Sequence, residues 1–225
     1  MAEKPILFSG PMVRAIMSGR KNVTRRLMNP QPPVDAETCH HNSYSGPDGP
    51  AWWWFKGTGD GEQLQCWPEP GKVVEPRYCK GDLLWVKEAW RTFEIYDSLK
   101  PSELLGRTPT PSISYLERPG NPSIHWGRYR PARFMCQWMA RLWVVVTEDP
   151  YPERVRDITE EEAIREGVES APRLASEAVD ERAMGITFSY RAGFYRAWKS
   201  LHGPDSWERD WVWRIAFERT EAPDA

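Results

Sequence analysis

Residues 19–26, Gly-Arg-Lys-Asn-Val-Thr-Arg-Arg, bring four cations and a hydroxyl together at one point of the chain. This stretch follows a predicted helix and leads into an extended segment, so that backbone amides also collect there. Such a junction suits an anion, for example a phosphate. The alternative interpretation is a basic turn in which Thr24 is only a β-forming residue. The spacing of the residues leaves both interpretations open.

Glu166 is a second candidate, because it falls in the last turn of a predicted short helix. Thr159 and Glu162 have the spacing of a capping box at the start of this helix, and Gly167 is a typical stop. The carbonyl end of a helix dipole disfavours a carboxylate, so an acid in this place indicates a functional role. The alternative is a solvated side chain like those of the neighbouring glutamates at 160–162.

The charge of the chain is nearly balanced, with 30 Lys and Arg against 32 Asp and Glu and a net charge of -2. Bulk charge therefore does not indicate nucleic-acid binding. Two segments, 14–26 and 118–147, nevertheless contain basic residues and no acidic ones. We interpret them as candidate nucleic-acid contacts. The alternative is two solvated faces that the acidic C-terminal third neutralises.

Aromatic residues accompany the second basic segment, since basic and aromatic side chains alternate over residues 125–130. Aromatic rings stack on bases, and cations contact phosphates. We therefore predict that His125, Arg128 and Arg130 bind nucleic acid. Three of the 13 tryptophans are consecutive at 52–54. Together with Trp67 they form either a stacking platform for bases or a small satellite core that holds a loop.

The four cysteines are widely spaced and form no Cys-x-x-Cys pair: Cys39, Cys66, Cys79 and Cys136. In a chain without an apparent export signal, this spacing favours reduced thiols. Cys39 with His40 and His41 is chemically suitable for zinc, but the spacing matches no familiar zinc motif. We therefore expect four reduced cysteines and neither a metal nor a cofactor.

The elements that must position these residues follow from hydrophobic periodicity. We predict strands at 5–8, 83–90 and 141–147, and an alternating last strand from Trp211. Helices are predicted from Gly10-Pro11 to Gly19, from Thr159 to Gly167, and over 188–201. The stretches 29–80 and 97–123 are rich in turn-forming residues and almost without periodicity, so we interpret them as insertions. The whole pattern predicts a single α+β domain, 1–225, around a small curved sheet or barrel.

The chain has 225 residues, which is enough for a domain with a well-buried core. It contains no run of eighteen apolar residues, and its N-terminus lacks the apolar core of a signal peptide. We therefore expect a cytoplasmic protein without a membrane partner. The sequence indicates no obligate protein partner.

Five segments, in this order along the chain, resemble the ASCH superfamily of PUA-like domains, especially the long members found in phages and prophages. They are GPMVRAIMSGRKNVTRR, then KGDLLWVKEAW, then RLWVVVTE followed by ITEEEAIREGV, and finally WVWRIAFER. The resemblance extends over about half of the chain. Its most specific parts are the GRKxxTxR box that begins at Gly19 and the GDxLWVxE strand that begins at Gly81.

The resemblance implies a PUA-like fold, a small curved β-barrel with flanking helices, and a cleft for RNA, a modified nucleobase or a nucleoside. Bacterial N4-acetylcytidine amidohydrolases of this superfamily use a lysine, a threonine three residues later, and a glutamate from a later helix. Lys21, Thr24 and Glu166 are similar to these residues in type and spacing. The resemblance therefore implies an amidohydrolase with Thr24 as nucleophile, Lys21 as its base and Glu166 as the acid.

A threonine hydroxyl is a weak nucleophile and needs a neighbouring base. A lysine near other cations can be that base, because the cations favour its neutral amine. Arg20, Arg25 and Arg26 are the cations in question, and we also expect them to bind the substrate. Neither Lys21 nor Thr24 is expected to contribute to core packing. Two other functions stay open: a non-catalytic module that binds RNA or reads a modified base, and a ribonuclease in which the same cations neutralise a phosphate.

Overall fold

The fold is given by a computed structural model. It describes residues 2–32, 38–46, 49–55, 75–116, 121–172 and 188–223, and for 38–55 it describes the backbone alone. The chain divides into two compact units, each assembled from segments that are distant in sequence. Unit 1 consists of Met1–Asn22, Lys80–Glu148 and Phe217–Ala225, and unit 2 of Val23–Cys79 and Asp149–Ala216.

Short strands and helices alternate along the described residues. The strands are β1 (Glu3–Leu7), β2 (Val23–Leu27), β3 (Thr38–Gly46), β4 (Gly49–Phe55), β5 (Leu83–Lys87), β6 (Trp90–Arg91), β7 (Ser114–Tyr115), β8 (Trp143–Val146), β9 (Tyr151–Arg154), β10 (Ala171–Pro172), β11 (Phe188–Ser189) and β12 (Trp211–Thr220). The α-helices are α1 (Gly10–Met17), α2 (Glu160–Arg165), α3 (Tyr190–His202) and α4 (Ser206–Arg209). Single turns of 3₁₀ helix occur at Glu94–Tyr96, Pro101–Glu103, Ala132–Phe134, Gln137–Met139 and Val155–Asp157.

Unit 1 contains a sheet whose central strands are the apolar runs of the sequence. Strand β1 is parallel to β5, β5 is antiparallel to β8, and β8 is antiparallel to the last four residues of β12. Helix α1 has Pro11 in its first turn, buries Val13 and Ile16, and is followed by Gly19 with a φ of +74°. Only glycine takes such a φ without steric cost, which explains why the helix ends there.

A second cluster of buried residues in unit 1 lies within and beside the predicted insertion 97–123. It consists of Trp90, Tyr96, Leu104, Met135 and Met139. Strand β7 pairs with β6 beside this cluster, and the 3₁₀ turns around residue 100 are part of the same region. Leu104 of the insertion is therefore packed into an apolar cluster whose other buried members lie outside the insertion.

Unit 2 is built on the first six residues of β12. Strand β2 pairs with 212–216 and β9 pairs with 211–214, both antiparallel to β12. The core of the unit is formed by seven buried side chains: Val155, Ile158, Ala163, Phe194, Trp198, Trp207 and Val212. Helix α3 packs tightly at Gly193, where an added Cβ would lie 1.9 Å from the carbonyl oxygen of Glu169.

The predicted strands and helices are present within a few residues of their expected bounds, and the α+β class is confirmed. One difference falls in the predicted insertion 29–80, where β3 and β4 pair as an antiparallel hairpin. The described strands of each unit form open sheets, so the barrel implied by the resemblance stays a prediction. In the part of the chain that the structure describes, every helix is too short or too polar to cross a bilayer.

Candidate functional site

Strand β2 carries three of the candidate residues of the basic segment 19–26. It runs antiparallel to β12, with Thr24 opposite Ile215 and Arg25 opposite Arg214. Side chains alternate along a strand, so Arg25 and Thr24 point to opposite faces of the sheet. The expectation that this stretch leads into an extended segment is confirmed, and the same strand directs Arg25 to the other side.

Arg25 is surrounded by three carboxylates of unit 2. Its Nη1 donates to Glu166 Oε1 at 3.2 Å, and its Nη2 donates to Glu162 Oε2 at 3.1 Å. Its Nε donates to Glu153 Oε1. The Arg25 side chain is buried, so each arm of the guanidinium is used inside the protein. Arg25 therefore has the geometry of a positioning residue, rather than that of an exposed cation available to a phosphate.

Arg214 completes this charged cluster through Glu162. Its Nε and Nη2 donate to the two carboxylate oxygens of Glu162 at 3.0 and 2.9 Å, which is a bidentate pair. Arg165 also donates to Glu162, at 2.7 Å. Glu162 thus connects β2, β12 and α2. In a capping box its side chain would instead accept from the backbone amide of Thr159. The first half is present, since Thr159 Oγ1 accepts from the Glu162 amide.

The electrostatics of the cluster differ from one carboxylate to the next. Burial opposes ionisation of Glu162, but the hydrogen bonds and charge of Arg214, with the charges of Arg25 and Arg165, lower its pKa to about 2. Burial raises the pKa of Glu153 above its usual range, although Arg25 works against the shift. Burial also opposes the charge of Arg25, yet Glu166, Glu153 and Glu162 raise the pKa of its guanidinium. Arg25 is therefore charged at any ordinary pH.

Glu166 caps the C-terminus of α2 and is only 3% exposed. The solvated alternative is therefore wrong. The charge of Arg25 offsets the unfavourable position of a carboxylate at the carbonyl end of a helix. This contact joins residues 141 positions apart in sequence.

Lys21 and Thr24 are both buried, with exposed fractions of 2% and 3%. The expectation that neither contributes to core packing is therefore wrong. Lys21 belongs to unit 1, where its amide donates to the Ala15 carbonyl and its Nζ lies 5.6 Å from the centre of the Phe8 ring. Thr24 and Glu166 belong to unit 2.

The other two arginines of residues 19–26 differ from each other. Arg20 is exposed, and its Nε donates to Ser18 Oγ at 3.2 Å. Arg26 is half-buried, and burial lowers the pKa of its guanidinium although Tyr78 and Glu166 partly oppose this. Of the three arginines, Arg20 is the one that presents an exposed side chain to solvent.

The three predicted nucleic-acid contacts of the second basic segment belong to unit 1 and differ in exposure. His125 and Arg128 are exposed, and Arg128 Nη2 donates to the Asp97 carbonyl at 3.3 Å. Arg130 is buried and donates to the carbonyls of Leu99 and Tyr96 at 2.9 and 2.6 Å. Arg128 therefore offers a cation to a ligand, whereas Arg130 holds the backbone turn beside it.

Another buried ion pair involves the GDxLWVxE motif. Arg141 donates from Nε and Nη2 to the two oxygens of Glu88 at 2.8 and 2.9 Å, and Glu88 is buried. Arg141 also lies 4.3 Å from the centre of the Tyr115 ring. Burial, with a smaller contribution from Glu88, raises the pKa of Tyr115 to about 12. Glu88 thus has a structural partner from the second basic segment.

Sequence reasoning missed Glu153, the structural role of Glu162, and Arg214. Arg214 had a signal, since it lies on the polar face of the alternating last strand. Glu162 also had a signal in the sequence, its place in a capping box, but that signal suggested only a local role at the start of the helix. No feature of the sequence marks Glu153 as a partner of Arg25.

The candidate zinc ligands fall mostly beyond the described side chains. Cys39, His40 and His41 lie in β3, whose backbone alone is described, and Cys66 lies outside the described residues. Trp52, Trp53 and Trp54 lie in β4, whose backbone alone is described, and Trp67 lies outside the described residues. Among the side chains that the structure describes, no group of three or more His, Cys, Asp or Glu is placed to hold a metal ion. The expectation of reduced, metal-free cysteines stays a prediction.

Comparisons of the chain with models of protein families, with curated proteins and with solved structures found no match.

Proposed function

We propose that this chain is an ASCH-type protein of PUA-like fold that acts on modified nucleosides or nucleic acid, as an amidohydrolase of N4-acylated cytidine. Thr24 is the nucleophile, Lys21 its base and Glu166 the acid. The proposal rests on the sequence motifs that resemble the superfamily.

One structural observation supports the proposal most directly. The resemblance requires the GRKxxTxR box and the later glutamate to belong to one functional centre. Arg25, from that box, donates to the buried carboxylate of Glu166, from the end of α2. A glutamate held by an arginine in this way keeps one orientation. Because side chains alternate along β2, this contact positions Glu166 through Arg25 and is not a contact with the Thr24 hydroxyl.

In the proposed reaction, the neutral amine of Lys21 takes the hydroxyl proton of Thr24. The Thr24 Oγ attacks the acyl carbonyl carbon, and the bond between that carbon and N4 of cytidine breaks. The proton that Lys21 took from Thr24 passes through Glu166 to N4, so that cytidine leaves with its amino group and Lys21 is again neutral. Water then hydrolyses the acyl ester, which releases the carboxylic acid and restores Thr24.

A second candidate function is a non-catalytic module that binds nucleic acid. It is favoured by the exposed Arg128 of unit 1 and by the exposed aromatic ring of Tyr129 next to it. These residues lie outside the motifs that carry the enzymatic proposal. The two functions therefore make separate predictions.

The test of the enzymatic proposal is a panel of N4-acylated cytidines incubated with the wild type and with Thr24→Val, followed by chromatography of the products. Valine keeps the branched shape of this buried strand residue and removes the hydroxyl. We expect release of cytidine by the wild type and none above background by the variant. Thr24→Ser, which retains a hydroxyl, should keep measurable turnover.

Folding must be checked beside activity, because Thr24 is buried. Thr92 offers a matched control: it is also buried, and its Oγ1 donates to the Ser112 carbonyl within unit 1. Thr92→Val should lower stability and leave turnover per folded molecule unchanged. If the wild type turns over no acylated cytidine, or if Thr24→Val retains full turnover while folded, the amidohydrolase proposal is wrong.

A further inference from the structure

A cavity of about 460 Å³ opens on the surface of unit 1. Its walls come from two segments, 97–101 and 128–134. The volume lies in the usual range of small-molecule sites and is large enough for one nucleotide. The cavity belongs entirely to unit 1 and contains none of the residues proposed above for catalysis.

The cavity carries more positive than negative charge. Lys100, Arg128 and Arg130 line it, against the single carboxylate of Asp97. Among the described residues, neither the Lys100 ammonium nor the Arg128 guanidinium forms an ion pair with a carboxylate, and both side chains are exposed. Two exposed cations beside one cavity favour an anionic ligand.

An aromatic ring forms another part of the wall. Tyr129 lines the cavity and is 40% exposed. The guanidinium carbon of Arg91 lies 4.6 Å from the centre of the Tyr129 ring and 5.4 Å from that of Trp126. This cation–π contact restrains the Tyr129 ring, which lines the cavity. Aromatic rings of this kind stack on nucleobases.

The backbone around the cavity is held by hydrogen bonds rather than left as a loose loop. Arg130 donates to the carbonyls of Tyr96 and Leu99, and the Arg128 amide donates to Asp97 Oδ2 at 3.0 Å. Gly127 allows this arrangement, since an added Cβ would lie 2.2 Å from Asp97 Oδ1. The two walls are therefore preorganised, which lowers the entropic cost of binding.

We propose that this cavity binds one nucleotide of a single-stranded nucleic acid, with the base stacked on Tyr129 and the phosphate contacted by Arg128 and Lys100. This subsite gives the second candidate function, nucleic-acid binding, a specific location. It rests on the proposed function only in that nucleic acid is taken as the ligand. A purely apolar ligand would leave the two cations unused. A purely inorganic anion would leave the aromatic surface unused.

The test measures binding of a fluorescein-labelled single-stranded RNA of mixed sequence, by fluorescence anisotropy over a series of salt concentrations. We expect Arg128→Gln and Lys100→Gln each to weaken binding about fivefold to tenfold and to reduce the magnitude of the slope of log K against log salt by about 0.7. Tyr129→Ser should weaken binding about tenfold with an unchanged salt slope, because stacking releases no counterion. Tyr129→Phe keeps the ring and should bind like the wild type.

Arg219→Gln is the matched control, since Arg219 is exposed, belongs to unit 1 and lies outside the cavity wall. It should bind RNA like the wild type. Competition by free 5′-mononucleotides distinguishes the two sources of the ligand: inhibition at micromolar concentration assigns the cavity to a free nucleotide, and inhibition only at millimolar concentration assigns it to a strand.

The proposal is overturned if the variants at 100, 128 and 129 bind like the wild type, or if Arg219→Gln weakens binding as much as they do. Failure of this subsite is distinguishable from failure of the amidohydrolase proposal. Release of cytidine from acylated nucleosides depends on Thr24 and is measured without RNA. Strand binding depends on Tyr129 and Arg128 and is measured without turnover.

Discussion

Arg25 and Arg128, one from each acid-free basic segment of the sequence, have opposite environments in the folded protein. In unit 2, Arg25 is buried among Glu153, Glu162 and Glu166. In unit 1, Arg128 is exposed beside a cavity and bonds a backbone carbonyl instead of a carboxylate. Each segment contains five Lys or Arg residues and no Asp or Glu, so the presence of such a segment does not distinguish a structural arginine from one that can bind a ligand.

The difference arises from residues that are distant in sequence. The carboxylates around Arg25 come from β9 and from the region of α2, more than 120 positions further along the chain. Arg141, in the other basic segment, is likewise bound by Glu88. A basic side chain is thus a candidate for ligand binding only where the fold does not pair it with a carboxylate. By this criterion the region of Lys100 and Arg128 is the stronger candidate for an anion.

The largest expected effect is on stability at Arg25. Arg25→Met leaves the buried Glu166 carboxylate without this partner, and removing one member of a buried ion pair typically costs about 3 to 5 kcal/mol. We expect a loss of this size in the free energy of unfolding, measured by urea denaturation and tryptophan fluorescence. Adding Glu166→Gln to Arg25→Met should restore part of the loss, because the buried charge is then also removed.

Arg165→Met is the matched control for that experiment. Arg165 also bonds Glu162, but its side chain is 37% exposed, and exposed ion pairs contribute about 1 kcal/mol or less. Equal losses for the two variants would show that Arg25 is not a buried centre of the cluster, and the contrast between the two basic segments would then disappear.

An intermediate effect is expected on acid stability. The pKa of Glu162 is about 2 in the folded protein against 4.5 as its ordinary value. Because the folded-state pKa is lowered, the stabilisation is present above pH 4.5 and is lost as the pH falls towards 2. Glu162→Gln should therefore flatten the loss of stability over this interval, measured as urea midpoints from pH 5 to pH 2.

Glu153→Gln gives the opposite control within the same cluster. Burial raises the pKa of Glu153 in the folded protein, so its protonation favours the folded state as the pH falls. Removing the Glu153 carboxyl should therefore make the loss of stability with falling pH steeper. If both variants flatten the profile, the assignment of opposite shifts to the two glutamates is wrong.

The smallest effect is expected at the cavity of unit 1. Arg128→Gln should change the free energy of unfolding by about 0.5 kcal/mol or less, as is usual for an exposed side chain that takes part in no buried ion pair. Arg130→Gln should cost about 1 to 3 kcal/mol, because the two carbonyls it bonds lose a charged donor. Urea denaturation of both variants checks the contrast. A large loss for Arg128→Gln would make it a structural residue like Arg25.

Much of the secondary structure was predictable because its signals are local. The ends of α1 and α2 coincide with Gly19 and Gly167, both of which have a positive φ, and the apolar runs around 85 and 145 form β5 and β8. The hairpin β3–β4 was missed, although glycines occur at both of the paired positions 46 and 49 and three tryptophans favour a strand. Turn-forming residues were interpreted there as a loop because no clear alternation accompanies them.

The sequence by itself determined which residues have chemistry to offer: Lys21, Thr24 and Glu166 in their family-like order, and the basic and aromatic run at 125–130. It also determined the helices, strands and α+β class, since periodicity and capping depend on near neighbours. Only the tertiary structure decided that Arg25 is neutralised while Arg128 is not. Ion pairing depends on distances of a few ångströms between groups far apart in sequence, and burial then sets whether a charge serves stability or is available to a ligand.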